Sequence, residues 1–307
     1  MNPAATERLW RPGRPVDLVA TLAPLWRGSG DPTFRYGTEG SLWRTTRTPD
    51  GPATLRLIPR PAEGTVLARA WGAGAAWVLD RVPELLGAQD DPAGFEPRHP
   101  VVRETWRRHA GWRVPRTTRV LESLVPAVVE QKVTGREAWR AFRTLVKTYG
   151  EPAPGHGGDV PPGMWVQPDA ATWRRVPSWA WHRAGVDLSR SRTVVTAAAS
   201  AGRLEALRGE PEARRRLESL PGIGLWTSAE VAVRSWGDPD AVSVGDYHLP
   251  SLVGYALAGE PVDDDGMLEL LEPYAGHRYR AVRMLELSGV RPQRRGPRYE
   301  GRDYRAM

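Results

Sequence analysis

One short segment, Leu220-Pro-Gly-Ile-Gly-Leu-Trp-Thr227, limits what this chain can fold into more than any other. Residues 212–220 before it carry apolar side chains at helical spacing, and Pro221 cannot continue that helix because it lacks a backbone N–H. The two glycines that follow allow tight backbone angles and the close approach of another backbone. A second helix then begins near Leu225. The segment therefore predicts a helix-hairpin-helix motif over about 212–236.

The start of the second helix is a candidate site for an anion. Its first N–H groups have no acceptor within the helix, and the helix dipole favours negative charge there. We therefore expect the hairpin to hold a phosphate of a nucleic acid. A plain turn between two core helices is the alternative.

A single carboxylate, Asp246, follows the motif in the sequence Val244-Gly-Asp-Tyr247. Breaking the bond between a sugar and a base builds positive charge on the sugar, and a nearby carboxylate stabilises that charge. The same carboxylate can orient or deprotonate a water molecule. Asp is also a good helix N-cap, so capping the helix that follows is the alternative role for Asp246.

The hairpin and the Asp246 segment together resemble the helix-hairpin-helix DNA glycosylase superfamily, and most of all its bacterial type II 3-methyladenine DNA glycosylases. The spacing from Trp226 to Asp246 follows their pattern without a gap, and residues 121–150 are similar to their DNA-facing helix. The resemblance implies a mainly α protein with an N-terminal α+β antiparallel-sheet domain, in the helical DNA glycosylase fold. It also implies a monofunctional enzyme of base excision repair that flips out damaged, alkylated purines and hydrolyses the N-glycosidic bond.

Hairpin modules of this kind also occur in proteins without an active site. A non-catalytic DNA-binding or lesion-recognition protein is therefore the alternative function. The two functions differ in what they require of Asp246. Catalysis needs this carboxylate open to a cleft beside Trp226, whereas a buried carboxylate satisfied only by N–H groups favours the binding protein.

The resemblance assigns roles to individual residues. Asp246 is the expected catalytic residue, and Trp226 and Glu230 are expected to line the base pocket. The expected DNA contacts are Gln131, Lys132, Pro221, Gly222, Ile223, Gly224 and Thr227. The backbone carbonyls of Leu220 and Ile223 are candidate ligands of a structural Na+ or K+, and no other cofactor is required.

Position 226 determines the expected type of reaction. Bifunctional members of the superfamily carry a lysine here that forms a Schiff base, and an indole nitrogen has no basic lone pair. Trp226 therefore predicts hydrolysis that leaves an abasic site intact. Its ring could stack on a flipped cationic base. A position in the core is the alternative for Trp226.

Two residues depart from the type II pattern. Glu230 replaces a pocket tyrosine, and it could attract a cationic base or point elsewhere. Lys132 replaces an apolar wedge. It cannot fill the gap left by a flipped base as an apolar side chain does, but it could contact phosphate or, less in keeping with the family, attack the sugar. Its neighbour Gln131 could contact the orphaned base or end a helix.

The composition agrees with a DNA partner. The formal net charge is +7, the balance of a surface that binds a polyanion. The chain has no cysteine, which excludes disulfides, thiolate nucleophiles and the iron–sulfur branch of the superfamily. No signal-like core or apolar run of roughly 20 residues occurs. We therefore expect a cytoplasmic, nucleoid-associated protein that binds double-stranded DNA and no membrane. The resemblance implies that it is a monomer and that its DNA carries damaged bases.

The patterning divides the chain into five parts. They are an N-terminal α+β domain (1–90), a connector and packing helix (91–116), a helical domain with the hairpin (117–238), a C-terminal helical part with Asp246 (239–290) and a basic tail (291–307). Alternation with period two predicts strands at 54–58 and 66–71. The tail carries six arginines against Glu300 and Asp303, and is either a DNA-backbone arm or a solvated segment.

The remaining elements follow from helical spacing. A helix is predicted over 74–86 and a loop over 151–163. The other predicted helices are 102–110, 117–130, 134–149, 169–174, 179–185, 189–206, 210–219, 225–236, 247–257, 264–272 and 276–288.

Overall fold

Residues 5–291 are described by the structure, a computed structural model, so the basic tail predicted from residue 291 onward lies outside them except for its first residue. Within this range the N-terminal part forms a five-stranded antiparallel sheet in the order β1-β5-β4-β3-β2. Its strands are β1 (Thr6–Trp10), β2 (Phe34–Tyr36), β3 (Leu42–Thr48), β4 (Gly51–Arg60) and β5 (Thr65–Trp71). The strands predicted at 54–58 and 66–71 lie within β4 and β5.

The two faces of the sheet have different apolar coverings because side chains alternate along each strand. Leu55 and Leu57 are buried on one face, against α1 (Leu18–Leu22), α2 (Ala75–Asp80) and α3 (Val82–Leu85). Trp43 and Trp71 are buried in a separate cluster, with their rings stacked at a centroid distance of 5.4 Å. The helix predicted over 74–86 was wrong in its continuity, since it breaks at Arg81 into α2 and α3.

The regular structure from residue 100 to residue 291 is helical, as predicted, apart from one short two-stranded sheet. The helices are α4 (Pro100–Arg108), α5 (Val120–Val129), α6 (Gly135–Tyr149), α7 (Ala170–Arg175), α8 (Ser178–Ala184), α9 (Leu188–Ala199), α10 (Ala201–Glu205), α11 (Ala213–Glu218), α12 (Leu225–Val231), α13 (Leu249–Leu257), α14 (Asp264–Leu271) and α15 (Arg278–Leu287). A turn of π-helix, Ala232–Trp236, continues α12. No helix of residues 5–291 is long and apolar enough to cross a membrane.

Most predicted boundaries shift by one to three residues, and three elements differ in a way that matters for the fold. The helix predicted over 189–206 breaks at Ser200 into α9 and α10. The predicted loop 151–163 begins with a short strand, β6 (Glu151–Pro152), which pairs with β7 (Trp165–Val166). The helix predicted from residue 117 begins only at Val120. The pairing of β6 with β7 joins residues that are distant along the chain, so sequence spacing does not show it.

Helix α5 lies at the centre of the largest apolar cluster, which also contains side chains of α6, α8, α9 and α12. It is also fixed to the sheet through Glu122. The Glu122 carboxylate pairs with Arg44 on β3 and accepts a 2.6 Å hydrogen bond from the Thr46 hydroxyl. The helix that ends beside the hairpin is therefore joined both to the helical core and to the sheet.

Pro126 lies inside α5 and cannot donate a hydrogen bond to the carbonyl four residues earlier, that of Glu122. The side-chain amide of Gln167 donates to this carbonyl instead, at 3.2 Å. An unpaired buried carbonyl costs free energy. The side chain of Gln167 thus replaces the missing helical hydrogen bond.

Candidate active site at the helix-hairpin-helix

The hairpin between α11 and α12 has the tight turn that its sequence predicts. Gly222 has a left-handed φ of +85°, and an added Cβ would lie 2.0 Å from the Thr193 hydroxyl oxygen. Only glycine fits at this position. The first hydrogen bond of α12 runs from the Ser228 N–H to the Gly224 carbonyl at 3.0 Å. The N–H groups of the three residues before Ser228 therefore lack a helical acceptor and lie at the turn.

The residues of the turn differ in exposure. Pro221, Gly222 and Gly224 are exposed, so their backbones are open to a phosphate. The side chain of Ile223 is buried in the helical core. Thr227 is only 2% exposed and its hydroxyl accepts a hydrogen bond from Gln131, so the structure does not leave it open to the DNA contact predicted for it.

The loop after α5 meets the hairpin through Gln131. Its side-chain amide donates to the Gly222 carbonyl at 2.9 Å and to the Thr227 hydroxyl at 2.8 Å. The next residue, Lys132, is exposed, has a left-handed φ of +55°, and makes no hydrogen bond or ion pair with any residue from 5 to 291. A lysine in this backbone region is uncommon, so the loop tip presents a free cation on a strained backbone.

Asp246 lies beside Trp226 and is partly exposed. The Trp226 indole N–H donates to Asp246 Oδ2 at 3.0 Å. Oδ1 accepts from the backbone N–H groups of His248 (2.8 Å) and Leu249 (2.9 Å), at the start of α13. The capping role and the position beside Trp226 therefore occur together. A carboxylate has about four acceptor sites, so three N–H donors leave capacity for a water or a substrate atom.

Helix α12 holds the Asp246 loop at two points, one helical turn apart. Trp226 binds Asp246, and Glu230 accepts a 2.7 Å hydrogen bond from the Ser243 hydroxyl. Residues four apart lie on one face of a helix, which explains why both reach the same loop. The other oxygen of Glu230 pairs with Arg234 at 2.6 Å. Glu230 is thus an anchor for the loop, and its charge is balanced by an arginine.

The geometry can now be compared with known proteins. The chain is 29% identical over 231 residues to the probable bifunctional transcriptional activator/DNA repair enzyme AlkA of Mycobacterium tuberculosis, a match that covers 69% of this chain and 43% of that protein. The chain thus spans less than half the length of the curated relative. No family model matches the sequence.

Solved structures show the fold. A 3-methyladenine DNA glycosylase from Archaeoglobus fulgidus superposes with a TM-score of 0.74 at 16% identity, covering 91% of this chain and 96% of that one. An 8-oxoguanine glycosylase/lyase from Clostridium acetobutylicum superposes with a TM-score of 0.69 at 11% identity, covering 94% and 100%. The chain has the helix-hairpin-helix DNA glycosylase fold. The fold class predicted from the sequence is confirmed.

Charged side chains cluster behind the Asp246 loop of this glycosylase fold. Arg27 pairs with Glu130 at 2.9 Å, next to the Glu230–Arg234 pair. Burial lowers the pKa of Arg27, whereas in Arg234 the effect of burial is outweighed by the Glu230 carboxylate and the pKa is raised. Burial raises the pKa of the nearby Tyr279 to about 12. Behind Glu230, therefore, each arginine is paired with a carboxylate, and the Tyr279 phenol is neutral.

Two residues that support the site were not recognised from the sequence. Ser243 joins the Asp246 loop to Glu230, and Asp264 accepts a 3.0 Å hydrogen bond from the Gly245 N–H. Asp264 belongs to the acidic run 263–265, in which Asp263 caps α14. Neither residue has a local signal, since each acts through a partner distant in sequence.

The structure offers little that would hold a metal through side chains. Among residues 5–291 no group of three His, Asp or Glu side chains converges as a ligand set. The Leu220 carbonyl accepts the Ile223 N–H at 3.1 Å within the turn, and it keeps a second lone pair. A monovalent cation at this turn would thus depend on backbone oxygens alone.

Proposed function

We propose that this protein is a monofunctional DNA glycosylase of base excision repair that removes damaged, alkylated purines from duplex DNA. The observation that carries the proposal is the pair formed by Trp226 and Asp246, placed at the start of the helix that the hairpin introduces. The fold is that of the DNA glycosylases, and the relative from Mycobacterium tuberculosis is named as a DNA repair enzyme.

The backbone of the turn supplies the grip on DNA. The N–H groups around Gly222 and Gly224 bind a phosphate beside the lesion, and Lys132 binds a second phosphate from the loop after α5. The damaged nucleotide then rotates out of the duplex, at a cost of a few kcal/mol that is smaller for a weakened base pair. Gln131 holds the loop against the hairpin while this occurs.

Asp246 is the residue that takes part in the chemical step. As the bond between the base and the sugar breaks, positive charge develops on the sugar, and the Asp246 carboxylate stabilises it. A water molecule adds to the anomeric carbon and passes a proton to the carboxylate, while the bonding electron pair leaves with the base. The Trp226 ring lies beside the departing base. Because position 226 provides no amine, no Schiff base forms there and the abasic strand stays intact.

Glu230 has a different role from a free pocket carboxylate. Arg234 balances its charge and Ser243 occupies its other oxygen. Glu230 therefore positions the loop that carries Asp246, and attraction of a cationic base depends on Asp246 and the Trp226 ring.

The partner is double-stranded DNA with damaged bases, bound by a monomer at the nucleoid in the cytoplasm. The net charge of +7 supports the DNA partner. A Na+ or K+ held by the Leu220 and Ile223 carbonyls would bridge the turn to the phosphate, and no other cofactor enters the reaction.

The test is base release from methylated duplex DNA by the wild type and by Asp246→Asn. The variant keeps an oxygen for the helix cap but loses the charge, so we expect release to fall by about 10²–10³-fold with DNA binding retained. Asp265→Asn, at an exposed carboxylate of α14, is the matched control and should keep full activity. Strand breaks should appear only after alkali treatment.

Other outcomes identify other functions. Tight DNA binding without release of any tested base would indicate the non-catalytic DNA-binding protein. Equal release by wild type and Asp246→Asn would show that another carboxylate acts. Strand breaks without alkali would contradict the monofunctional mechanism.

A further inference from the structure

A cavity of about 330 Å³ lies away from the hairpin, between α2, the segment before α5 and the segment after α10. The N–H groups of Thr117 and Thr118 beside it donate to the Arg234 and Ser235 carbonyls, each at 2.9 Å. Those carbonyls lie at the far end of the helix that begins at the hairpin. At 1.5 Å per residue, the eight residues from Trp226 to Arg234 span about 12 Å. The cavity is therefore separate from the proposed active site.

Hydrogen-bond donors in this cavity lack partners. The Nε atoms of Arg116 and Arg119 and the Thr118 hydroxyl are buried without a hydrogen bond within the described chain. The Arg81 side chain makes no hydrogen bond or ion pair with any residue from 5 to 291, and its guanidinium carbon lies 4.2 Å from the centre of the Trp77 ring. Buried polar groups are normally satisfied, so this set of donors calls for an acceptor.

The backbone at the cavity is strained. Thr118 has a left-handed φ of +56°, which is a genuine outlier for a β-branched residue. The hydrogen bond from its N–H to Ser235 maintains this conformation, and Thr118 is one of the cavity-lining residues. Strain of this kind is typical of ligand-binding positions.

The charges of the lining favour an anion. Four arginines face two glutamates. Glu205 accepts the N–H groups of Val120 and Leu121 and pairs with Arg119 at 3.2 Å. Arg116 and Arg208 donate to neutral oxygens, Arg116 to the Gln89 side chain and Arg208 to the Leu207 carbonyl, so their charges are not neutralised. Glu84 remains as an acceptor for hydroxyl groups. Guanidinium groups are well suited to bind phosphate.

We infer that this cavity binds a small phosphate-bearing molecule, with Arg81, Arg119 and Thr118 holding the phosphate. The volume is at the lower end for small-molecule sites, which favours a nucleoside monophosphate over inorganic phosphate alone. The site is independent of the proposed glycosylase reaction. It lies at the opposite end of α12 from the DNA-binding turn.

Isothermal titration calorimetry on the full chain tests this inference, with deoxyadenosine monophosphate and inorganic phosphate as the probes. We expect the nucleotide to bind with a Kd below 1 mM, and Arg81→Ala and Thr118→Val to weaken binding about tenfold or more. Thr118→Val keeps the side-chain shape and removes only the hydroxyl. Arg107→Ala, at an exposed arginine of α4, is the control of equal charge and should bind as the wild type does.

Equal binding of the two probes would assign the site to the phosphate group alone and would still support an anion site. Saturation with duplex DNA should leave nucleotide binding unchanged. Absence of heat for both probes at millimolar concentration would overturn the inference. Full binding by both variants, or displacement by DNA, would also overturn it, because the phosphate would then be held elsewhere.

Discussion

Gln167 occupies the hydrogen-bonding position that Pro126 leaves without a helical partner. Its amide donates to the Glu122 carbonyl at 3.2 Å, inside the helix that joins the sheet to the hairpin. The Glu122 side chain binds Arg44 of β3 at the same level. The substitute hydrogen bond thus lies where the helix is fixed to the sheet.

Gln167→Ala should lower the free energy of unfolding by about 1–3 kcal/mol, because a buried carbonyl is left unpaired. In Pro126→Ala the helix regains its own N–H donor to Glu122, so the same substitution at Gln167 should cost less in that background. Denaturant unfolding of the wild type, the two single variants and the double variant measures both costs. Equal costs in the two backgrounds would show that Gln167 does not replace the helical bond.

Trp226→Phe keeps an aromatic ring beside the base and removes the N–H that binds Asp246. A hydrogen bond to a charged group contributes about 1.5–3 kcal/mol, so we expect single-turnover base release to fall about tenfold or more with little change in DNA affinity. Trp179→Phe, at a tryptophan that is 62% exposed, is the matched control. An equal loss in both variants would argue against a specific role of the indole N–H.

Lys132→Asn removes the free cation at the loop tip and keeps a residue that tolerates left-handed backbone. If Lys132 contacts a phosphate, the salt dependence of DNA binding should weaken by about one unit of slope, with the unfolding free energy unchanged. The only other lysine in the sequence, Lys147, is exposed near the end of α6 and provides the control Lys147→Asn. Binding is measured across a salt series, and identical slopes for the two variants would place Lys132 away from DNA.

The raised pKa of Tyr279 predicts that the folded protein loses stability at high pH. Burial raises its pKa from 10.0 to about 12, so the folded protein keeps this proton while the unfolded chain releases it. The stability contributed is complete below pH 10 and is lost as the pH rises through about 12, by about 2–3 kcal/mol. Tyr279→Phe should therefore lose less stability over this range than the wild type in denaturant unfolding. Tyr247→Phe, at a tyrosine that is 89% exposed, should behave as the wild type.

The fold was predictable where the information is local. The turn at Pro221 and the glycines after it specify the hairpin, and alternating side chains specify β4 and β5. The edge strand β1 was not anticipated, because most of its side chains are exposed and show no apolar alternation. The breaks at Arg81 and Ser200 were also missed, since helical spacing alone does not locate a change of direction.

The site was predictable in its residues but not in its connections. Asp246 and Trp226 were identified through the resemblance of their segments to the DNA glycosylases, and their assigned roles stay predictions. The bond from Gln131 to Gly222 joins residues 91 positions apart, and the bond from Ser243 to Glu230 joins a loop to a helix 13 positions away. Such contacts arise only once the helices pack, which is why the structure was needed to reveal them.

The three N–H donors on Asp246 have a thermodynamic consequence. Immobilising a rotatable side chain costs about 0.5–1.5 kcal/mol of conformational entropy. Here Trp226 and the start of α13 immobilise the carboxylate during folding, before any DNA arrives. In the proposed reaction DNA binding would not have to bear that cost, so more of the free energy from the proposed phosphate contacts would be available to rotate a nucleotide out of its stack. The flipped nucleotide would then meet a carboxylate whose orientation is fixed before binding.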